Sequence, residues 1–269
     1  MVNSYEFGMD DLDTLRLQWE WGADEALLDT TQDRRQSPAP AAPPVPFAKP
    51  AKTASHRPKP QATPEPTDAG HLAASCASLL ELENAMRDFE GCALRQTATQ
   101  LVFADGADDA RLVIIGEAPG GDEDRIGKPF VGPAGQLLDK MLDSIGLDRT
   151  MVRIINVVPW RPPGNRTPTE TEIALCLPFL HRHIALIAPQ GVLVLGAVAA
   201  KAMLGPRAQA GIRRIRGQWS EAIIDGLPTP LACLPSYHPA YLLRTPSAKK
   251  DAWRDMLSLR AWLKNQNIG

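Results

Sequence analysis

Nowhere in its 269 residues does the sequence hold an apolar run long enough to cross a bilayer. It also lacks a CxxC pair. Cys76, Cys92, Cys176 and Cys233 are scattered along the chain, which points to reduced, buried thiols rather than a disulfide framework. The acidic start MVNSYEFGMDDLD is unlike a signal or transit peptide, so a cytoplasmic protein is expected. A marked excess of either charge is missing too. A formal net charge of −2 gives no general attraction to a polyanion, so nucleic-acid binding requires a local basic face. Aromatic residues make up only 6% of the chain, and neither a P-loop lysine nor the GxGxxG spacing of a nucleotide-binding turn is present.

Proline is plentiful, at 25 residues, and ten of these lie between Thr31 and Gly70 among alanines and few large apolar side chains. This composition predicts an extended, disordered linker over 31–70. Before it, in segment 1–30, Leu12, Leu15, Trp19, Ala23 and Leu27 recur at helical spacing after the possible cap Asp10. Such an amphipathic helix suits docking on a protein partner or packing on its own domain. After the linker, 71–269 reads as one compact domain in which apolar strands alternate with helices. Strand runs are expected at 101–103, 111–115, 152–158, 191–195, 220–224 and 231–234. A TxxE capping box, Thr169 to Glu172, opens a helix running to about Ile187. Alternating strands and helices imply a parallel sheet covered on both faces, an α/β/α sandwich.

The stretch GEAPGGDEDRIGKPFVGPAG, Gly116 to Gly135, follows the buried strand Leu112 to Ile115 and precedes a helix. A loop in that place sits where open α/β sheets bind ligands. Six glycines and three prolines set a backbone path able to approach a ligand closely. The loop is acidic, with Glu117, Asp122, Glu123 and Asp124, and it carries the aromatic Phe130, so a flat neutral ring suits it better than a phosphate. Asn156 and His238 also fall at the carboxyl ends of strands. Asn156 can donate and accept at once, as reading an amide-like base edge requires, and a histidine can donate to an oxygen that gains negative charge. Singly, each has a structural alternative: a strand cap, a turn, an ordinary core ring. Together they describe a base pocket.

GEAPG followed by ED, then GKPFVGPAGQLL, INVVPWRPPGNRTP and HPAYLLR resemble, in order, the signature of family 4 uracil-DNA glycosylases over about Phe89 to Leu263. The resemblance implies a central, mostly parallel four-stranded sheet and excision of uracil from DNA after the nucleotide is flipped from the stack. It also implies roles. Phe130 stacks on uracil, Asn156 reads the O4 and N3 edge, His238 bonds the O2 oxygen, and Glu117, preferred to Asp122 and Asp124, places water or offsets charge on the sugar. Gly120 stands where other glycosylases of the superfamily carry a tyrosine against the thymine methyl, and Ala118 stands where they carry an aspartate.

For uracil-containing DNA, a basic surface is expected from Arg213, Arg214 and Arg216 and from Arg244, Lys249, Lys250 and Arg254, with Leu242 or Leu243 as an apolar wedge. Family 4 enzymes commonly hold a 4Fe-4S cluster on four cysteines. Here Cys92 and Cys176 match two ligand positions, while Phe89 and Trp160 occupy the others, so no metal cofactor is expected. The reading is a monomeric uracil-DNA glycosylase. A glycosylase for another deaminated base, and a catalytically silent lesion-binding protein, are the alternatives.

Overall fold

The structure, a computed structural model, describes residues 66–266. The expected N-terminal helix and most of the expected linker lie outside the described residues. In chain order the elements are α1 (Pro66–Ser75), α2 (Leu79–Asp88), α3 (Leu94–Thr97), β1 (Asp105–Gly106), β2 (Leu112–Gly116), α4 (Gly121–Ile126) and α5 (Pro133–Asp143). There follow β3 (Arg153–Asn156), α6 (Glu170–Ile187), β4 (Gly191–Leu195), α7 (Ala197–Leu204) and α8 (Ile212–Ile215). β5 (Ser220–Ala222), β6 (Leu231–Ser236), α9 (Pro239–Arg244) and α10 (Lys249–Asn265) complete the domain. Helix α1 begins ahead of the boundary expected at 71, and its Ala69 and Ala73 are buried. The end of the proline-rich stretch is therefore part of the folded domain, because small side chains let α1 lie close on the core.

The sheet has six strands in the order β1-β3-β2-β4-β6-β5. Its four central strands run parallel, and the short edge strands β1 and β5 are antiparallel. The parallel core matches the four strands expected; of the antiparallel edges, β5 falls in the strand run expected at 220–224, and β1 was not expected. Residues 101–103, read as a strand, form no strand. Alternate residues of the central strands face opposite layers. Val113, Ile115, Ile155, Val192 and Val194 pack with residues of α1, α2, α6 and α7, whereas Leu112, Ile114, Ile154, Leu193 and Leu195 pack with Leu138 and Leu142 of α5 and with Met256, Leu259 and Leu263 of α10. This period-two division builds the three-layer α/β/α sandwich. Helix α6 starts on the capping box seen in the sequence, with the Glu172 amide donating to Thr169 Oγ1 at 3.2 Å and the Thr169 amide to the Glu172 carboxylate at 2.7 Å. None of the helices described is long and apolar enough to cross a membrane.

Candidate active site

Parallel strands that all point one way bring their carboxyl ends to one edge, and loops leaving that edge share a cleft. Gly116 pairs with Asn156 across β2 and β3, so the opening loop and the asparagine leave the sheet side by side. Strand β6 ends at Ser236 and delivers His238 to the same edge as the N-cap of α9. The resulting cavity of about 440 Å³ is lined by Glu117, Gly120, Phe130, Asn156 and His238 among others. All five residues singled out for catalysis or base binding thus line one cavity. Arg244 lines it as well.

The floor of the pocket is set by a bare backbone. A Cβ at Gly116 would lie 2.4 Å from Asn156 Oδ1 and 2.6 Å from the Phe130 ring, so only glycine lets both groups approach. Phe130 and His238 stack with centroids 5.4 Å apart and 30° between planes. His238 Nδ1 accepts from the Ala240 amide at 3.2 Å, which leaves the proton of a neutral imidazole on Nε2. Burial, helped by the Arg244 charge and opposed by Glu123, holds the His238 pKa down at about 4. The ring is therefore neutral near pH 7. Burial raises the Glu117 carboxyl above the usual carboxylate range, and a hydrogen bond with Thr167 works against that rise.

The other carboxylates of the loop do different work. Asp124 is buried and accepts from the Thr99 amide at 2.8 Å and the Thr99 hydroxyl at 2.9 Å, which ties α4 to the preceding chain. Asp122 sits on the surface beside Arg125. Glu123 accepts from the amides of Gly120 (3.1 Å), Val131 (2.9 Å) and Gly132 (2.9 Å), closing the loop on either side of Phe130. Sequence reasoning missed this clamp. It also missed Asn165, Arg166, Thr167 and Tyr241, which line the cavity; the position of PWRPPGNRTP after β3 was the available signal for the first three, and that of HPAYLLR after β6 for Tyr241.

The basic and apolar surface residues divide sharply. Arg213, Arg214 and Arg244 are exposed. Arg216 instead forms an ion pair with the buried Asp255, donates to the Asp251 carbonyl at 2.6 Å and lies over the Tyr237 ring. Leu242 is buried with Tyr237, Ala248 and Ala252, so its side chain has no access to DNA. Leu243 is 43% exposed, because adjacent helical residues point in different directions.

Cys92 and Cys176 meet in the core, and the hydrogen bond between the thiols, with burial, pushes Cys176 well above the ordinary thiol range. Phe89 and Trp160 are buried in the same apolar cluster, and Phe89 packs edge-on against Phe179 at 5.0 Å. Two thiols and two aromatic rings do not fit a cubane cluster, which takes four thiolates. Among the described residues no group of three or more His, Cys, Asp or Glu side chains is arranged to hold a metal ion.

Residues 103–257 match the Uracil DNA glycosylase superfamily. The chain is 37% identical over 181 residues to the type-4 uracil-DNA glycosylase of Pyrobaculum aerophilum, covering 66% of this chain and 91% of that one. Likeness to the type-4 uracil-DNA glycosylase of Thermotoga maritima is 38% over 177 residues, 65% of this chain and 89% of the relative. For the type-4 enzyme of Archaeoglobus fulgidus it is 40% over 162 residues, 60% and 80%. With residues 103–257, more than half its length, matched, the chain belongs to the uracil-DNA glycosylase superfamily.

Proposed function

We propose that this protein is a uracil-DNA glycosylase that hydrolyses the N-glycosidic bond of deoxyuridine in DNA repair, releasing uracil and leaving an abasic site. The observation that carries the reading is the convergence of Glu117, Phe130, Asn156 and His238 on one cavity. A flipped uracil stacks on Phe130, a contact worth about 1–3 kcal/mol. The Asn156 amide donates to O4 and accepts from N3–H. Cytosine reverses both partners, leaving polar groups unpaired at about 1–3 kcal/mol each. As the glycosidic bond breaks, its electron pair moves onto the base, and Nε2–H of His238 bonds the O2 oxygen where that charge collects. Glu117, ionised above its raised pKa, offsets the positive charge that gathers on the sugar or places the water. Water supplies the hydroxyl at C1′, and its proton leaves with the base or to solvent.

Arg213, Arg214 and Arg244 hold phosphates without reading sequence, and Leu243 fills the gap in the stack. The chemistry is carried by these side chains without a cluster, since aromatic packing of Phe89 and Trp160 fills the corresponding part of the core. The protein acts as a monomer in the cytoplasm, and residues 1–30 serve to engage a protein partner.

Gly120 favours a second substrate class in addition. Its missing side chain takes away a wall against a larger deaminated base, while the Glu123 carboxylate, 2.8 Å from where a Cβ would stand, borders the pocket there. Oligonucleotides carrying uracil, hypoxanthine or xanthine, treated with alkali after incubation, test the reading. Strand scission at uracil supports it, and intact strands with all three bases leave lesion binding as the function.

A further inference from the structure

Phe130 has a backbone φ of 54°. An aromatic residue in the left-handed region costs about 1–3 kcal/mol and persists only where its surroundings hold it. One support is Gly135 of α5, where a Cβ would come within 1.7 Å of the Phe130 carbonyl oxygen. Another is the Glu123 carboxylate on the amides of Val131 and Gly132. The third is Arg149, far along the chain and absent from the pocket lining. Its guanidinium donates to the carbonyls of Pro129, at 3.2 Å, and of Phe130. The same group is aimed from behind by Asp139, at 2.7 Å from Nε, and by Asp105, at 2.9 Å from Nη1. A planar fork with several fixed donors can serve two carbonyls and two carboxylates together, and an ammonium on a flexible stem cannot.

We infer that Arg149 is a positioning residue for base recognition: by gripping the carbonyls of Pro129 and Phe130 it holds the strained backbone that aims the Phe130 ring. This rests on the uracil-pocket reading above. Arg149 contacts no substrate, and its influence runs through Phe130 alone. A merely structural ion pair with Asp105 and Asp139 would instead act on stability, whatever side chain stands at 130.

The test compares R149K and R149Q with the parent protein, each also in an F130A background, by kcat and KM on a uracil oligonucleotide. The lysine keeps the charge between Asp105 and Asp139, so R149K is informative even should R149Q not fold. Expected is a loss in kcat/KM of about tenfold for R149K, shrinking to under about threefold once Phe130 is gone. Equal losses in both backgrounds, or no loss, overturn the inference. Amide hydrogen exchange at Phe130, Val131 and Gly132 gives a readout independent of activity. It should quicken about tenfold in R149K, and unchanged exchange also overturns the inference. A parent protein inactive on uracil, with quickened exchange in R149K, would sink the uracil reading while upholding the grip on Phe130.

Discussion

The imidazole of His238 stacks 5.4 Å from the Phe130 ring while its Nδ1 accepts the Ala240 amide. The first contact fixes the ring's place and the second fixes its tautomer. His238→Gln keeps a donor but loses the ring that is stacked in position. His238→Ala loses the donor altogether, and a fall in kcat of about 100-fold is expected with KM changed far less. Single-turnover excision measures this directly, and a kcat within about twofold of the parent would remove His238 from the chemistry.

Gly116→Ala places a methyl group against both the Phe130 ring and the Asn156 amide. The strand itself tolerates alanine, so the fold should survive with the pocket spoiled. A drop in kcat/KM of at least about tenfold is expected with little change in circular dichroism. Full activity would mean that ring and amide are not held where the base must sit.

Much of this was legible in the sequence. Leu112 to Ile115 and Gly191 to Leu195 are buried on both faces and read as unbroken apolar runs, the form a central parallel strand takes. Asn156 and His238 could be placed because each follows such a run. Edge strands β1 and β5 are short and half exposed, so periodicity gave no hold on their pairing. Helix α4 was hidden by its glycine-rich setting; it starts at Gly121 with Asp122, Glu123 and Asp124 in its first turn, where the helix dipole favours acids. The Arg149 contacts with Phe130 and the Arg216 pair with Asp255 join residues distant in sequence, and local composition does not encode such pairs.

Three arginines that looked alike in sequence should part in experiment. Arg216→Ala strands the buried Asp255 carboxylate, and a stability loss of roughly 3 kcal/mol is expected. A joint R213A and R214A change touches exposed residues, so stability should hold while DNA affinity falls and its salt dependence flattens. Thermal melts beside a salt titration of DNA binding separate the two outcomes. Equal melting losses in both variants would contradict the assignment.

Two histidines tie stability to pH. Burial, then the Arg153 charge, holds His183 down at about 3, and His238 lies at about 4. Both titrate near 6.5 in the unfolded chain, so between about 6.5 and their folded values the unfolded state takes up protons that the fold refuses. Their contribution is complete above about pH 6.5 and is lost as pH falls toward 4. The raised carboxyls of Glu117 and Asp255 act in the opposite sense, so the comparison with His183→Gln isolates one histidine. The parent's melting temperature should fall more steeply than the variant's from about pH 6.5 to about 4.5. Parallel profiles would show that His183 is not held neutral.

The most direct test of the central claim is release of free uracil from a single-stranded oligonucleotide, identified by chromatography, using protein whose iron and acid-labile sulfide are assayed in the same preparation. The account predicts stoichiometric release of uracil by protein with iron far below one atom per chain. Release that tracks bound iron, or no release from well-folded protein, would contradict it.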